Sequence, residues 1–210
     1  VWEHRVSDTN IDLQARVYDK TTDSWGSVTM LSSTSDAEQT PAIAVDANSL
    51  VHIAWSGTDT STGVLRYLNF TPATIAYNGT LSGATSPDNT ETGVLYPSLD
   101  SDASGVVHVA YRATATQKKV FYRQRIVVGT WSAAEQISAA SSNDADSPLL
   151  AIRDAGHPNV IYIKDSSLSS NRVLAASGRS SAGSTGQWST PSSLATDDAF
   201  DAGSASAGLD

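Results

Sequence analysis

Pro97-Ser-Leu-Asp-Ser-Asp102, followed by Val107-His-Val-Ala-Tyr111, decides the fold, because the chain repeats it. Pro41-Ala-Ile-Ala-Val-Asp46 is followed by Val51-His-Ile-Ala-Trp55. Proline and aromatic are 14 residues apart in both copies, aspartate and histidine 6. A third copy runs from Pro148-Leu-Leu-Ala-Ile-Arg153 to Val160-Ile-Tyr-Ile163, read with one extra residue near His157-Pro158 and with Val160 at the place of the histidine. Self-similarity at a period of this size marks a repeat architecture.

Each copy continues alike. A short run follows: Val64-Leu-Arg-Tyr67, Val120-Phe-Tyr-Arg123 and Val173-Leu-Ala-Ala176. Then come a turn and a tryptophan, in Gly129-Thr-Trp-Ser132 and Gly186-Gln-Trp-Ser189, with Tyr77 in that place before Asn78-Gly79. The N-terminal piece fits the same template. Trp2 stands where Trp55 stands, Leu13-Gln-Ala-Arg16 is the third run, and Ser24-Trp25-Gly26 is the tryptophan turn. At the other end Ala205-Ser-Ala-Gly-Leu-Asp210 matches Pro41 to Asp46.

The runs are short, rich in Val, Ile, Tyr and Trp, and bounded by Gly, Asn, Asp and Ser, which is the signature of strands. No dozen-residue window carries a helical apolar period. Asp102-Ala-Ser-Gly105 reads as a hairpin turn in which glycine supplies positive φ. Four strands in about fifty residues is the pattern of a β-propeller blade. Small residues recur in the first strand, as a crowded axis requires, and proline at its start need not donate to a ladder. A β-sandwich and a β-solenoid are the competing all-β readings. The expected organisation is one domain over 1–210 with blades at 1–36 plus 203–210, 37–92, 93–143 and 144–202. These form either a closed ring of four or part of a ring of six to eight. If the ring closes, Ala205–Asp210 pairs beside Val1–Ser7 and hides an open edge.

Composition narrows the function. The net charge of −9 and the lack of a basic cluster exclude a phosphate-gripping nucleic-acid binder. No apolar stretch approaches the ~20 residues of a membrane span. With no cysteine, disulfides, cysteine-ligated zinc and thiol catalysis are excluded. Charged residues are only 17%, and Ser, Thr, Asn and Ala take their place, a flavour common in secreted β-proteins and one that suggests an extracellular or cell-surface location.

Tyr96 to Arg112, then Val120-Phe-Tyr-Arg-Gln-Arg125, then Gly129-Thr-Trp-Ser132, resemble the sialidase-like (BNR-type) repeat of secreted bacterial propellers. The resemblance implies a fold shared by sialidases, polysaccharide lyases, lectins and other surface proteins. Thr22-Asp-Ser-Trp25 and Gly129-Thr-Trp131 echo only part of that family's Asp-box, and its arginine triad and Arg-Ile-Pro signature are not found.

The repeat also sorts the candidate sites. His52 and His108 suit acid–base work by type, but they recur at one repeat position, as packing residues do. Trp25, Trp131 and Trp188 suit sugar stacking, yet they recur too, where an aromatic would clamp the neighbouring blade. Asp8-Thr-Asn-Ile-Asp12 starts like a calcium loop but lacks its glycine and its glutamate, and reads as a polar hairpin. Residues that break the repeat are more informative. His4, Arg5, Arg112, Tyr122 and Arg123 form the candidate ligand-binding set, since Arg with Tyr suits carboxylate or sugar recognition. Arg153 replaces an aspartate. No catalytic residue, metal ligand or cofactor is assigned. The expected partner is a glycan or another surface protein, alongside further blades of the same polypeptide or a homo-oligomer. A non-catalytic binding propeller is expected, with part of a sialidase-like hydrolase or polysaccharide lyase as the alternative.

Overall fold

The computed structural model describes residues 1–32, 35, 37–58, 63–71, 91–114, 117–125, 130–139, 144–153, 156–165, 172–180 and 187–196. Its described strands form antiparallel sheets that follow chain order. Sheet one orders β1 (Trp2–Arg5), β2 (Ile11–Ala15) and β5 (Thr29–Met30). Between β2 and β5 a two-stranded ribbon pairs β3 (Tyr18–Asp19) with β4 (Ser24–Trp25). Sheet two is β6 (Glu38–Val45), β7 (Val51–Thr58) and β8 (Gly63–Phe70). Sheet three is β9 (Leu95–Ser101), β10 (Val107–Thr114), β11 (Lys118–Arg125) and β12 (Glu135–Gln136). Sheet four is β13 (Ala145–Arg153), β14 (His157–Asp165), β15 (Arg172–Gly178) and β16 (Ser192–Thr196). Tyr77 and Asn78, and the expected first strand at 205–210, lie outside the described residues.

Each sheet packs its face against the next. Val107, Val109, Tyr111 and Ala113 of β10 bury one face against Ala54, Leu65 and Tyr67 of sheet two. Ala110, Val120 and Tyr122 bury the other against Leu150, Val160, Tyr162 and Ala175 of sheet four. Both faces of β10 are thus core, so its sequence reads as continuous burial rather than alternation.

The first strands lie side by side and are stitched by side chains instead of a ladder. Leu150 N–H donates to Ser98 Oγ at 2.9 Å, and Ile152 N–H to Asp100 Oδ2 at 2.8 Å. Ser101 Oγ donates to Val45 carbonyl oxygen at 3.0 Å. The polar Ser-Leu-Asp-Ser run therefore has a bonding role beyond its small size.

The turn between first and second strands repeats closely. Ser49, Gly105 and Gly156 hold φ of 62°, 79° and 76° at equivalent places. Leu150 pairs with Val160 as Leu99 pairs with Val109 and Ile43 with Ile53. This corrects one sequence expectation: the third copy has no extra residue, and Asn159, not Val160, occupies the position of His52 and His108. A one-residue slip would turn Val160 and Tyr162 out of the core they share with sheet three, so burial fixes the register.

Candidate functional site

Two copies of one side-chain lock run through the molecule. Asp46 Oδ1 accepts from the Asn48 and Leu50 N–H groups, both at 2.9 Å, and closes the turn. Its other oxygen faces His52 Nε2 at 3.4 Å. His52 Nδ1 lies 2.6 Å from Tyr67 Oη. Trp131 of sheet three meets Tyr67 edge-on, ring centroids 5.0 Å apart, and Arg125 lies over the same ring at 5.2 Å. The second copy repeats each contact. Asp102 Oδ1 accepts from Ser104 N–H at 2.8 Å and Val106 N–H at 2.9 Å, and Oδ2 faces His108 Nε2 at 3.5 Å. His108 Nδ1 is 2.6 Å from Tyr122 Oη. Trp188 and Arg179 of sheet four cover Tyr122 at 5.0 and 5.5 Å.

Electrostatics fixes the protons in this lock. Burial lowers the pKa of both histidines, against the opposing pull of Asp46 and Asp102. A neutral imidazole has one N–H, and a facing carboxylate places it on Nε2. Nδ1 then accepts a hydrogen bond from the tyrosine hydroxyl. Burial would raise Asp46, but the Leu50 and Asn48 N–H groups with His52 hold it below the ordinary carboxylate range. Burial also raises Tyr67 and Tyr122, keeping both phenols protonated. The aspartate–histidine spacing thus builds a lock within one sheet, and the tryptophans at 131 and 188 clamp its tyrosine from the following sheet.

Arg123 has structural counterparts in sheets one and four. It donates to Ser132 carbonyl oxygen at 2.8 Å, bracing the tryptophan turn. Arg16 does the same to Gly26 carbonyl oxygen at 2.8 Å, and Ser177 Oγ to Ser189 carbonyl oxygen at 2.7 Å. Arg123 Nε also donates to Tyr111 Oη at 3.1 Å, and Tyr111 donates to Glu91 Oε2 at 2.6 Å. Burial raises the Glu91 carboxyl above its ordinary value.

A different arrangement stands at the rim where the first strands begin. Thr40, Tyr96 and Ser147 each precede the proline of their strand and hold φ of 52°, 52° and 49°. Each sits in a register shift of its ladder. Bulky residues at positive φ store strain of order 1–3 kcal/mol each, and strain of this kind gathers at binding sites. A chain of contacts crosses the rim. Thr40 N–H donates to Glu3 Oε1 at 2.5 Å, and Tyr96 N–H donates to Thr40 Oγ1 at 3.2 Å. The Arg112 guanidinium lies 5.5 Å from the Tyr96 ring centroid, donates to Gly93 carbonyl oxygen at 3.3 Å, and pairs with Asp146 at 3.5 Å. Lys118 is 3.7 Å from Asp146. Tyr96 itself is 41% exposed.

The residues singled out from sequence are therefore distributed over several settings. Arg112 backs the rim. Tyr122 belongs to the second lock and Arg123 to a tryptophan turn. Arg112 and Tyr122 face sheet four, whereas Arg123 faces sheet two with Tyr111. His4 and Arg5 are exposed on β1, one and two residues from the rim's Glu3, with Arg5 donating to Asp8 at 3.3 Å. Asp8 to Asp12 span the β1–β2 hairpin, where Ser7 Oγ accepts from Asn10 N–H at 3.1 Å. Among the described residues no group of three or more His, Cys, Asp or Glu converges to hold a metal, and no helix is long and apolar enough to cross a membrane. Sequence reading missed Tyr96, Glu91 and Asp146. Tyr96 was within reach, as the aromatic before proline where Thr40 and Ser147 stand in the other copies.

No family model and no curated protein matches the chain. Solved structures do. An endo-1,4-β-xylanase from Bacteroides thetaiotaomicron superposes with a TM-score of 0.49 at 12% identity, over 85% of this chain and 75% of that one. A fucose lectin from Kordia zhangzhouensis, solved with methyl-fucoside, has a TM-score of 0.40 at 15% identity, over 75% of this chain and 99% of that one.

Proposed function

We propose that these sheets are blades of an extracellular β-propeller that binds a saccharide at the rim, without catalysis. Support for the propeller comes from sheets in chain order, packed face to face, with first strands adjacent and the same tryptophan clamp between successive pairs. One observation carries the site. Tyr96 offers a half-exposed aromatic face, held from behind by Arg112 on a strained bulge and flanked by Thr40 and Asp146. An aromatic platform with a few fixed polar groups suits a sugar ring. His52 and His108 are committed to locks, which favours binding over acid–base chemistry at those two positions.

Titration of a glycan array and calorimetry on its hits test this reading. Tyr96→Ala is expected to weaken the best hit at least about tenfold with unchanged unfolding. Absence of any saccharide hit, or a hit indifferent to Tyr96→Ala, refutes it. A second reading rests on Glu91, whose raised carboxyl beside Tyr111 is of the kind that serves a general acid. Turnover of sialosides or uronate polysaccharides that Glu91→Gln abolishes would favour that enzyme instead.

A further inference from the structure

We propose that sheet one of one copy docks on sheet four of a second copy, repeating between molecules the contact that joins the sheets within one. The internal contact has two halves. The following sheet supplies a tryptophan and the residue paired opposite it: Trp131 with Arg125, Trp188 with Arg179. The preceding sheet supplies a tyrosine: Tyr67 or Tyr122.

Sheet one shows the tryptophan half uncovered, and sheet four shows the place of the tyrosine half with an alanine in it. On sheet one, Trp25 pairs with Tyr18 just as Trp131 pairs with Arg125. Their rings lie 5.2 Å apart, and Arg16 reaches the Trp25 ring at 5.9 Å. Here the tryptophan is 60% exposed, with Tyr18 exposed beside it. On sheet four, register places Ala176 opposite Ile161, where Tyr67 stands opposite Ala54 and Tyr122 opposite Ala110. Arg153 and Asn159 take the places of the lock's aspartate and histidine. The result is an open groove of about 690 Å³ lined by Arg153, Asn159, Ala176 and Gly178. An alanine at the tyrosine's place does not forbid the contact. Ala15 holds it on sheet one and is buried against Val51, Ile53 and Trp55 of sheet two.

Shape and charge agree. A groove emptied of a tyrosine receives a Tyr–Trp pair in place of Arg–Trp. The hairpin carrying Trp25 brings Asp19 and Asp23 against a single Lys20, a net acidic tip, and the groove presents the exposed Arg153. The contact is heterologous, so two copies can close a ring or longer series can grow.

Sedimentation velocity from about 1 to 100 μM tests this, because such association is concentration-dependent. The wild-type chain is expected to gain mass with concentration. Trp25→Ala removes one half, and Arg153→Glu reverses the charge of the exposed side chain that lines the other. Each variant alone is expected to associate at least about tenfold more weakly, with the urea unfolding midpoint unchanged. Mixing the two is decisive. Each keeps one intact half, so the mixture regains a 1:1 pair and stops there. A wild-type chain that stays monomeric throughout overturns the proposal, as does association that both variants leave intact or that mixing fails to restore. Trp25 is exposed, so its loss does not threaten the fold, and the saccharide assay at Tyr96 remains independent of the outcome.

Discussion

Replacing Tyr122 by phenylalanine removes one oxygen and leaves the ring against Trp188 and Arg179 in place. The hydroxyl lies 2.6 Å from His108 Nδ1 in a fully buried setting. Its loss forfeits a hydrogen bond worth about 1 kcal/mol net and strands a buried acceptor at a cost of about 1–3 kcal/mol. A destabilisation of about 2 kcal/mol is expected, a large share of the 5–15 kcal/mol that holds a typical domain. Urea unfolding followed by tryptophan fluorescence reads it. Tyr67→Phe, in the sister lock, is expected to cost the same within about 1 kcal/mol, because its histidine lies at the same 2.6 Å. His108→Leu with Tyr122→Phe is expected to cost less than the two single changes together, by about 1–2 kcal/mol. A loss below about 0.5 kcal/mol refutes the lock. So does unchanged stability with lost saccharide binding, which would return Tyr122 to the ligand site.

Three other expectations follow from the same contacts. The two depressed histidines make the unfolded chain bind more protons below its histidine pKa of about 6.5, so stability is full above that pH and falls as pH drops, by up to about 2.7 kcal/mol per unit for two protons; thermal melts from pH 8 to 5 check the sign, and His52→Asn with His108→Asn should flatten the profile. Tyr162 carries a buried hydroxyl with no partner among the described residues, and burial pushes its pKa up to about 12, so Tyr162→Phe is expected to leave chemical-denaturation stability unchanged or raise it by about 1 kcal/mol. Gly105→Ala forces a side chain into φ of +79° and is expected to cost about 1 kcal/mol or more in the same assay, whereas Ser49→Gly at the equivalent place, φ +62°, relieves strain and stabilises.

Strand order and the position of each tryptophan were legible because spacing carries them. Fourteen residues from proline to aromatic fix two strands and a turn, and the same spacing from Pro148 to Tyr162 argues against the extra residue read in the third copy. The partners of those residues were not legible, because they come from the neighbouring sheet. Nothing local in Val120-Phe-Tyr-Arg123 says that Tyr122 faces sheet four while Arg123 faces sheet two. The error at Val160 has the same origin. Asn159 resembles histidine less than its apolar neighbour resembles the flanking valines of the other copies, and the shared core with sheet three decides between them. The rim was hidden for another reason: the bulge at Tyr96 is a backbone conformation, and its sole sequence trace is the residue before each proline.

The recurrence of strain at Thr40, Tyr96 and Ser147 separates scaffold from site more sharply than conserved chemistry would. Strain repeated in three sheets is a property of the architecture, since it re-aims each strand start in the same way. The side chains placed on it are not repeated. Threonine, tyrosine and serine stand on one backbone shape, and only the tyrosine sits over an arginine that reaches the next sheet's Asp146. A repeat used purely to pack would have no reason to hold one aromatic out toward solvent at a strained position while burying every other described tyrosine of sheets two to four. Swapping Tyr96 with its counterpart, as Thr40→Tyr with Tyr96→Thr, keeps composition and strain nearly constant and moves only the platform away from Arg112. If saccharide binding depends on that pairing, the swapped chain unfolds at the wild-type urea midpoint and binds at least about tenfold more weakly. Binding retained by the swap would assign it to the strained backbone alone.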